Sequence, residues 1–504
     1  MAALSTEVPV GVVGAGTMGA GIAQVAATAG HPVLLCDAAA GAAEAARSRI
    51  GAALDRAVGQ GRLSSAQRPV ISARIEACHG LDALASAGLV IEAIVEDLDA
   101  KQRLFEALEV FLEPTAILAS NTSSLSITAL AAKLQHPERV VGLHFFNPAP
   151  RMELVEVVRG LMTAPAVVAT AWATVEAWGK TPVEVRSTPG FIVNRVARPF
   201  YGEALRALAE GAAEVATIDA VMREAGGFRM GPFELIDLIG LDVNLAVSRS
   251  IHAACHYDPR YAPSLIQREM VDAGRLGRKA GRGFYDHAAD AEPPAPATAA
   301  PAPPPRSVVV EGELGVAEPL LERLAGSGVA VERRSGEGLI RLGDLRLVLT
   351  DGRSATEWSH MLDRPVATFD LAHDYASCAR LAVATADQTS PAQLQSAIGL
   401  LQAAGIAVSV LDDLPGLLVM RTVAMLANEA AETVQAGAAT AAAVDTAMRL
   451  GVNYPQGPLA WAEKIGLKRV LEVLDHLRRS YSEERYRASW MLRRKVMAKG
   501  RFHG

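Results

Sequence analysis

The period of hydrophobic and polar positions changes several times along this chain, and each change marks an element. Val8 to Val13 is a short apolar run, glycines follow, and Ala20 to Ala29 then carries apolar residues at helical spacing. After Gly30 a second apolar run, Pro32 to Cys36, ends at Asp37. Strand, helix and strand within about thirty residues make a βαβ unit, whose strands pair in parallel. The pattern continues with apolar Leu89 to Val95, helical Ala100 to Phe111, and strand-like Ala116 to Ala119 and Val140 to Phe145. Residues 1–188 therefore predict a Rossmann-like, doubly wound α/β domain. Beyond Pro189–Gly190 the strand signals stop and helical spacing takes over, which predicts an all-α domain over 189–286.

Residues 287–306 are rich in Pro and Ala and hold no large apolar side chain, so they predict an extended, semi-stiff linker. Residues 307–414 again mix strand-like and helical runs, and 415–504 return to helix. A repeat explains the return. PGFIVNR beginning at 189 recurs as PGLLVMR beginning at 415, an offset of 226. At that offset Glu203 matches Glu429, Asp219 matches Asp445, and Gly231–Pro232 matches Gly457–Pro458. The chain is thus an α/β domain, an all-α domain, a degenerate α/β segment and a second copy of the all-α domain.

Composition narrows the function. At 504 residues the chain has room for about three domains. Lys plus Arg number 49 against 55 Asp plus Glu, a net charge of -6, which excludes a broadly phosphate-coating, nucleic-acid-binding surface. Only four cysteines occur and none forms a C-x-x-C pair, so neither a disulfide framework nor a zinc module is expected, and no metal site. The start shows no secretory signal pattern and no apolar run reaches membrane-spanning length. The chain reads as cytoplasmic, with no membrane partner.

Gly14-Ala15-Gly16-Thr17-Met18-Gly19 follows a strand and opens a helix. In such a loop the first glycine permits the tight turn, the second lets backbone approach a pyrophosphate, and the third allows close packing. The helix N-terminus adds free N–H groups and partial positive charge. Asp37, ending the next strand, would accept from the adenosine ribose hydroxyls and repel a 2′-phosphate, so the expected cofactor is NAD, not NADP. In the second copy Leu314 stands opposite Gly16 and Ser335 opposite Asp37 when Gly30 is aligned with Gly328. That copy is expected to bind no dinucleotide.

His144 lies near the end of an apolar strand, and Glu153 and Glu156 follow in another strand-like run. A carboxylate on an imidazole fixes its tautomer and suits a general base for alcohol oxidation. The residues alone do not choose between the two glutamates.

The stretches GAGTMGAGIA, SNTSSL (120–125), GLHFFNP (142–148), ELVEVV (153–158), PGFIVNR and GRKAGRGFYD (277–286) resemble the NAD-dependent L-3-hydroxyacyl-CoA dehydrogenases. The doubled helical domain is similar to the long bacterial members, including 3-hydroxyadipyl-CoA dehydrogenases of phenylacetate breakdown. The resemblance implies oxidation of an L-3-hydroxyacyl-CoA to the 3-oxoacyl-CoA, with His144 as base and Glu156 as its partner. It implies that Ser123 hydrogen-bonds the reacting hydroxyl near the nicotinamide, that Asn194 orients substrate, and that Asn147 lies beside the base. Glu96, Lys101 and Lys279 match cofactor-proximal positions, and Lys101 would also reach CoA. Arg56 sits where the family sets a basic side chain against the CoA phosphates, with a plain solvated arginine as the other reading. Arg198, four residues after Asn194, reads as an ordinary surface arginine or as a reader of a carboxylate-ended acyl tail. A 3-hydroxybutyryl-CoA substrate and a non-catalytic acyl-CoA/NAD-binding protein are the alternatives. The second helical copy has Met420 in place of Asn194, and is expected to serve as a scaffold completing within one chain an interface that shorter members make by dimerising. A homodimer is the expected assembly.

Overall fold

The computed structural model describes residues 2–504, which divide into two compact units. The first comprises the chain up to Asn194 together with Ala436–Val452, and the second Arg195–Gln435 with Asn453–Gly504. Among the described residues no helix is long and apolar enough to cross a membrane.

The first unit is built on eight strands: β1 Val10–Val13, β2 Val33–Cys36, β3 Ile75–Cys78, β4 Leu89–Glu92, β5 Ile117–Ser120, β6 Val140–Phe145, β7 Leu154–Arg159 and β8 Thr181–Arg186. Their order is β3-β2-β1-β4-β5-β6-β7-β8. All neighbours run parallel except β6 and β7, which are antiparallel. Strands β1, β4 and β5 are buried along their whole length, as helices on both faces of a parallel sheet require, and so they read in sequence as unbroken apolar runs. The edge strands β3 and β8 carry exposed Glu76 and Glu184 and give no such signal. The Thr17–Ala29 helix stops at Gly30, whose left-handed backbone (φ 117°) closes the last turn.

One expectation is corrected here. Cys36 and Cys78 are register partners at the ends of β2 and β3 and are joined by a disulfide, although 42 residues separate them. Parallel neighbours in register point their side chains to the same face, and only the sheet brings these two together.

The second helical copy contributes its Ala441–Gly451 helix to the first unit, where it packs on β7 and β8. Arg186 N–H donates to the Ala438 carbonyl at 2.8 Å. Gly451 lies so close to the sheet that a Cβ there would meet Leu154 at 2.7 Å and Val193 at 2.9 Å.

The second unit holds a seven-stranded mixed sheet: β9 Ser307–Glu311, β10 Ala330–Arg334, β11 Leu339–Leu342, β12 Leu345–Leu349, β13 Val366–Phe369, β14 Arg380–Thr385 and β15 Ala407–Val410, in the order β10-β9-β11-β12-β13-β14-β15. After β9 the thirteen-residue helix of the first copy is reduced to the six-residue Pro319–Leu324 helix, and Leu314 is buried, as the loss of the glycine motif predicts. Residues 287–306 contain no helix or strand, but from Ala297 to Ala302 they are strapped down, which a free spacer would not be. Ala299 N–H donates to the Val408 carbonyl and Ala302 N–H to Gln402, while Gln402 donates back to the Ala299 and Ala300 carbonyls.

Within the second unit the two helical copies meet along the Arg198–Ala209 and Val419–Gln435 helices through reciprocal ion pairs. Arg195 donates to Glu429 at 2.7 Å, and the equivalent Arg421 donates to Glu203 at 3.0 Å. Tyr261 donates to Glu429 and Tyr486 to Glu203, completing two matching clusters. The Val215–Glu224 helix of the first copy packs on β14, with Glu224 paired to Arg380 at 3.1 Å. Arg421 and Glu203 are 0% and 1% exposed, so removing one strands the other's charge in the interior. Arg421→Ala is expected to cost about 3–5 kcal/mol, read as a lower urea midpoint in equilibrium unfolding; an unchanged midpoint would remove this interface from the forces holding the copies together.

Candidate active site

The glycine motif divides into two kinds of position. A Cβ on Gly14, whose φ is +103°, would meet the Ala93 carbonyl oxygen at 2.5 Å, and a Cβ on Gly19 would meet the Gly14 oxygen at 1.7 Å. Both glycines are demanded by the protein's own packing. A Cβ on Gly16 would meet nothing within 4 Å, so the backbone there is open at the start of the Thr17–Ala29 helix, where Thr17 is exposed and Met18 half-buried. An open, Cβ-free helix N-terminus is what a pyrophosphate needs to reach the N–H groups. Asp37, at the end of β2, braces this loop: its carboxylate accepts from Ala15 N–H at 2.6 Å and from Ala39 N–H at 2.9 Å. Arg49, which the sequence did not single out, donates to the Ala15 carbonyl at 2.7 Å from the next helix. These residues fit NAD.

A second cluster is organised by a buried acid that sequence reasoning passed over. Glu92, ending β4, is fully buried, and both of its oxygens accept from Lys101 Nζ at 2.8 Å. It also accepts from Ser120 Oγ at the end of β5. Lys101 is 1% exposed and lies 3.3 Å from Glu96. It is therefore neither a solvated helix charge nor a group that reaches CoA, which corrects that expectation. The signal available was an acid closing an apolar strand nine residues before a lysine.

Glu96 in turn holds the SNTSSL loop, accepting from Thr122 Oγ1 at 2.6 Å, Ser123 N–H at 2.9 Å and Ser124 Oγ at 3.0 Å. Burial works to raise its pKa, but the Thr122 bond, the Lys101 charge and the bonds from Ser123 and Ser124 outweigh burial and hold it below the ordinary value. Asn121 accepts from Phe145 N–H at 2.9 Å, tying the same loop to β6.

His144 and Glu156 face each other across β6 and β7 as register partners. Directly opposite residues of antiparallel strands share a face, so the register selects Glu156; Glu153 precedes β7. His144 Nδ1 and Glu156 Oε2 are 2.6 Å apart, with Glu156 fully buried and His144 6% exposed. The other oxygen, Oε1, accepts from Ile192 and Val193 N–H at 2.9 and 3.0 Å. One carboxylate thus orients the imidazole and caps the turn that leads into Asn194. That turn is sharp: Gly190 and Phe191 both have left-handed backbone, with φ 73° and 49°. Asn194 Nδ2 donates to the Ser123 carbonyl at 3.5 Å, so the structure brings Ser123, Asn194, Glu96 and Lys101 into one connected cluster beside the His144–Glu156 pair.

The remaining predicted residues lie apart. Asn147 is exposed on the loop after β6 and precedes a cis proline, and Arg56 is exposed on the Ala42–Gly59 helix. Lys279 belongs to the second unit, where it pairs with Asp242 at 2.6 Å. Among the described residues no cluster of His, Cys, Asp and Glu could hold a metal ion.

A doubly wound sheet with an open glycine loop, a ribose-side acid and a buried histidine–carboxylate pair defines an NAD-dependent dehydrogenase. Comparison with known proteins gives the family. Residues 9–188 match the 3-hydroxyacyl-CoA dehydrogenase, NAD binding domain, and residues 190–287 and 416–503 both match the 3-hydroxyacyl-CoA dehydrogenase, C-terminal domain. Residues 347–415 match the 3-hydroxybutyryl-CoA dehydrogenase reduced Rossmann-fold domain. The chain is 45% identical over 489 residues, 97% of each sequence, to the 3-hydroxyadipyl-CoA dehydrogenase of Escherichia coli K12. It is 44% identical to a probable 3-hydroxybutyryl-CoA dehydrogenase of Bacillus subtilis over 55% of this chain and 96% of that one. The crystal structure of a 3-hydroxybutyryl-CoA dehydrogenase from Escherichia coli K12 superposes with a TM-score of 0.90 at 43% identity, covering 98% of this chain and 99% of that one. The chain belongs to the 3-hydroxyacyl-CoA dehydrogenase family and oxidises 3-hydroxyacyl-CoA to 3-oxoacyl-CoA with NAD.

The two kinds of glycine give a test. Gly16→Val is expected to weaken NADH binding at least about tenfold in a fluorescence titration while the melting temperature holds. Gly19→Ala should lower the melting temperature instead, since its Cβ meets backbone.

Proposed function

We propose that His144 is the general base of this reaction and that the physiological substrate is a dicarboxylic 3-hydroxyacyl-CoA, 3-hydroxyadipyl-CoA. The observation that carries the catalytic assignment is the 2.6 Å contact between His144 and Glu156 in an otherwise apolar strand pair. With Nδ1 held by Glu156, Nε2 is the nitrogen that takes the C3 hydroxyl proton. Glu156 then stabilises the imidazolium, and its fixed second oxygen keeps the pair from rotating apart. Ser123 and Asn194 orient the C3 oxygen so that proton and hydride leave in near-attack geometry. Bound NAD accepts the hydride at C4 of its nicotinamide.

Glu96 and Lys101 act as positioning residues that hold the Ser123 loop on the cofactor side. Asn147 flanks the base, and Arg56 meets the CoA phosphates from the exposed face of its helix. Lys279 reaches the cofactor by exchanging Asp242 for it. The dicarboxylic substrate is supported by the full-length likeness to a 3-hydroxyadipyl-CoA dehydrogenase, where relatives named for 3-hydroxybutyryl-CoA in Bacillus subtilis cover only the first half of this chain. The second reading, 3-hydroxybutyryl-CoA, is favoured by the name of the full-length structural relative. A cytoplasmic location accompanies either reading, since acyl-CoA and NAD are intracellular metabolites. A homodimer would have to form on a surface other than the one the two helical copies already share.

His144→Ala is expected to lower turnover about 10²–10⁴-fold with NADH affinity preserved; full activity in that variant would refute the base assignment. Steady-state NADH oxidation by wild type with 3-oxoadipyl-CoA and acetoacetyl-CoA decides the substrate. A higher kcat/KM for 3-oxoadipyl-CoA is expected, and equal or better turnover of acetoacetyl-CoA would favour the short-chain reading.

A further inference from the structure

The second unit contains a cavity of about 180 Å³ along one face of the Arg198–Ala209 helix. Its lining from that helix, Arg198, Tyr201, Gly202, Leu205, Arg206 and Ala209, advances by three or four residues at a step. Position 194 is the preceding member of the same progression, and Ala197 between the two keeps right-handed helical backbone. Four arginines line the cavity and no acidic residue does.

Arg198 is not the ordinary surface arginine that its sequence context suggested. It is 8% exposed, donates to Ser248 Oγ at 3.2 Å, and stacks over the Tyr201 ring at 4.9 Å. Behind it Ser248 Oγ donates to the Asn244 carbonyl at 3.0 Å, and Gln267 donates to Asn244 Oδ1 at 2.8 Å. Arg195, Arg206 and Arg260 are held above their ordinary pKa by facing carboxylates that outweigh burial, whereas at Arg198 burial prevails and the shift is downward.

The duplicated domain supplies an internal control. The Leu241–Ala254 helix corresponds to Leu467–Tyr481, and Leu265–Asp272 to Trp490–Met497, each of the latter pair opened by a serine (Ser264 and Ser489). On that correspondence Arg198, Asn244, Ser248 and Gln267 are matched by Ala424, Val470, Leu474 and Leu492, all buried. The same helical domain therefore folds with an apolar core at these positions. Burying a polar quartet costs free energy unless it is satisfied, and a fold that does without it in one copy does not need it for packing. The copy that keeps the quartet is the one that keeps Asn194.

We infer that Arg198, backed by Ser248, Asn244 and Gln267, forms a recognition site for the distal carboxylate of the acyl chain. The inference rests on the dicarboxylic reading proposed above. Four helical residues advance about 6 Å, and in a six-carbon chain the far carboxylate lies three carbon–carbon bonds, under about 5 Å, beyond the reacting carbon. With Asn194 at the reacting oxygen, the guanidinium one turn further on meets the tail's end. A planar guanidinium matches a carboxylate in two parallel bonds, which a neutral tail cannot accept.

The test is NADH oxidation with 3-oxoadipyl-CoA, its distal methyl ester and acetoacetyl-CoA, on wild type and Arg198→Leu. In wild type the ester is expected to lose at least about 30-fold in kcat/KM against the free acid, an arm that needs no variant to fold. In Arg198→Leu the ratio of 3-oxoadipyl-CoA to acetoacetyl-CoA turnover should fall by a similar factor, and Arg198→Lys should restore part of it. If wild type prefers 3-oxoadipyl-CoA yet accepts the ester equally, or Arg198→Leu keeps the ratio within about twofold, the carboxylate is read elsewhere and this inference is wrong while the substrate reading stands. If wild type shows no preference for 3-oxoadipyl-CoA over acetoacetyl-CoA, the substrate reading fails and the inference falls with it.

Discussion

The site depends on one carboxylate doing two things at once. Glu156 is fully buried, and a buried carboxylate persists as a charge only when its lone pairs are satisfied. Oε2 is taken by the catalytic-strand imidazole, and Oε1 by the two amides that open the helix carrying Asn194. The strand register that faces His144 with Glu156, the left-handed turn at Gly190–Phe191 and the position of Asn194 are therefore one constraint, and a shift in any of them would leave a charge or an amide unpaired.

The second copy shows which half of that arrangement is structural. At the offset of 226, His144 corresponds to Asp370 and Glu156 to Ala382, and Asp370 N–H donates to the Ala382 carbonyl across β14. Asp370 accepts from Leu418, Val419 and Met420 N–H, so it alone caps the equivalent turn, and Leu417 repeats the left-handed backbone of Phe191. Capping is retained and the imidazole is gone. Burial raises the Asp370 pKa to about 6 against the opposing pull of those amides. The copy has also lost the open glycine and the long helix of a dinucleotide site, while keeping the arginine and glutamate that bind it to its twin. Duplication here separated packing from chemistry: one copy carries both, the other only the first.

That separation also explains the interface. The Arg195–Glu429 and Arg421–Glu203 pairs are related by the same offset, so each copy gives an arginine and receives one. A self-complementary patch of this kind is the property of a two-fold contact between identical subunits. Within one chain it is free to diverge, and the Arg198 quartet facing an apolar equivalent is such a divergence.

Much of this was legible in the linear chain. The central strands of a parallel sheet are buried on both faces and announce themselves as apolar runs, the glycine spacing specifies a pyrophosphate turn, and a repeat needs only comparison of the chain with itself. His144 and Asn194 stood out for the same reason, as polar residues within otherwise regular apolar patterns. The tertiary structure alone decided the rest, because each remaining feature depends on residues far apart in sequence meeting in space. The β6–β7 register chose Glu156 over Glu153. The β2–β3 register brought Cys36 to Cys78. Packing buried Lys101 against Glu92, strapped the Pro/Ala-rich segment onto β15, and turned Arg198 from a surface residue into the wall of a cavity. Sequence period reports which face of an element is apolar; what lies opposite that face is set by the fold.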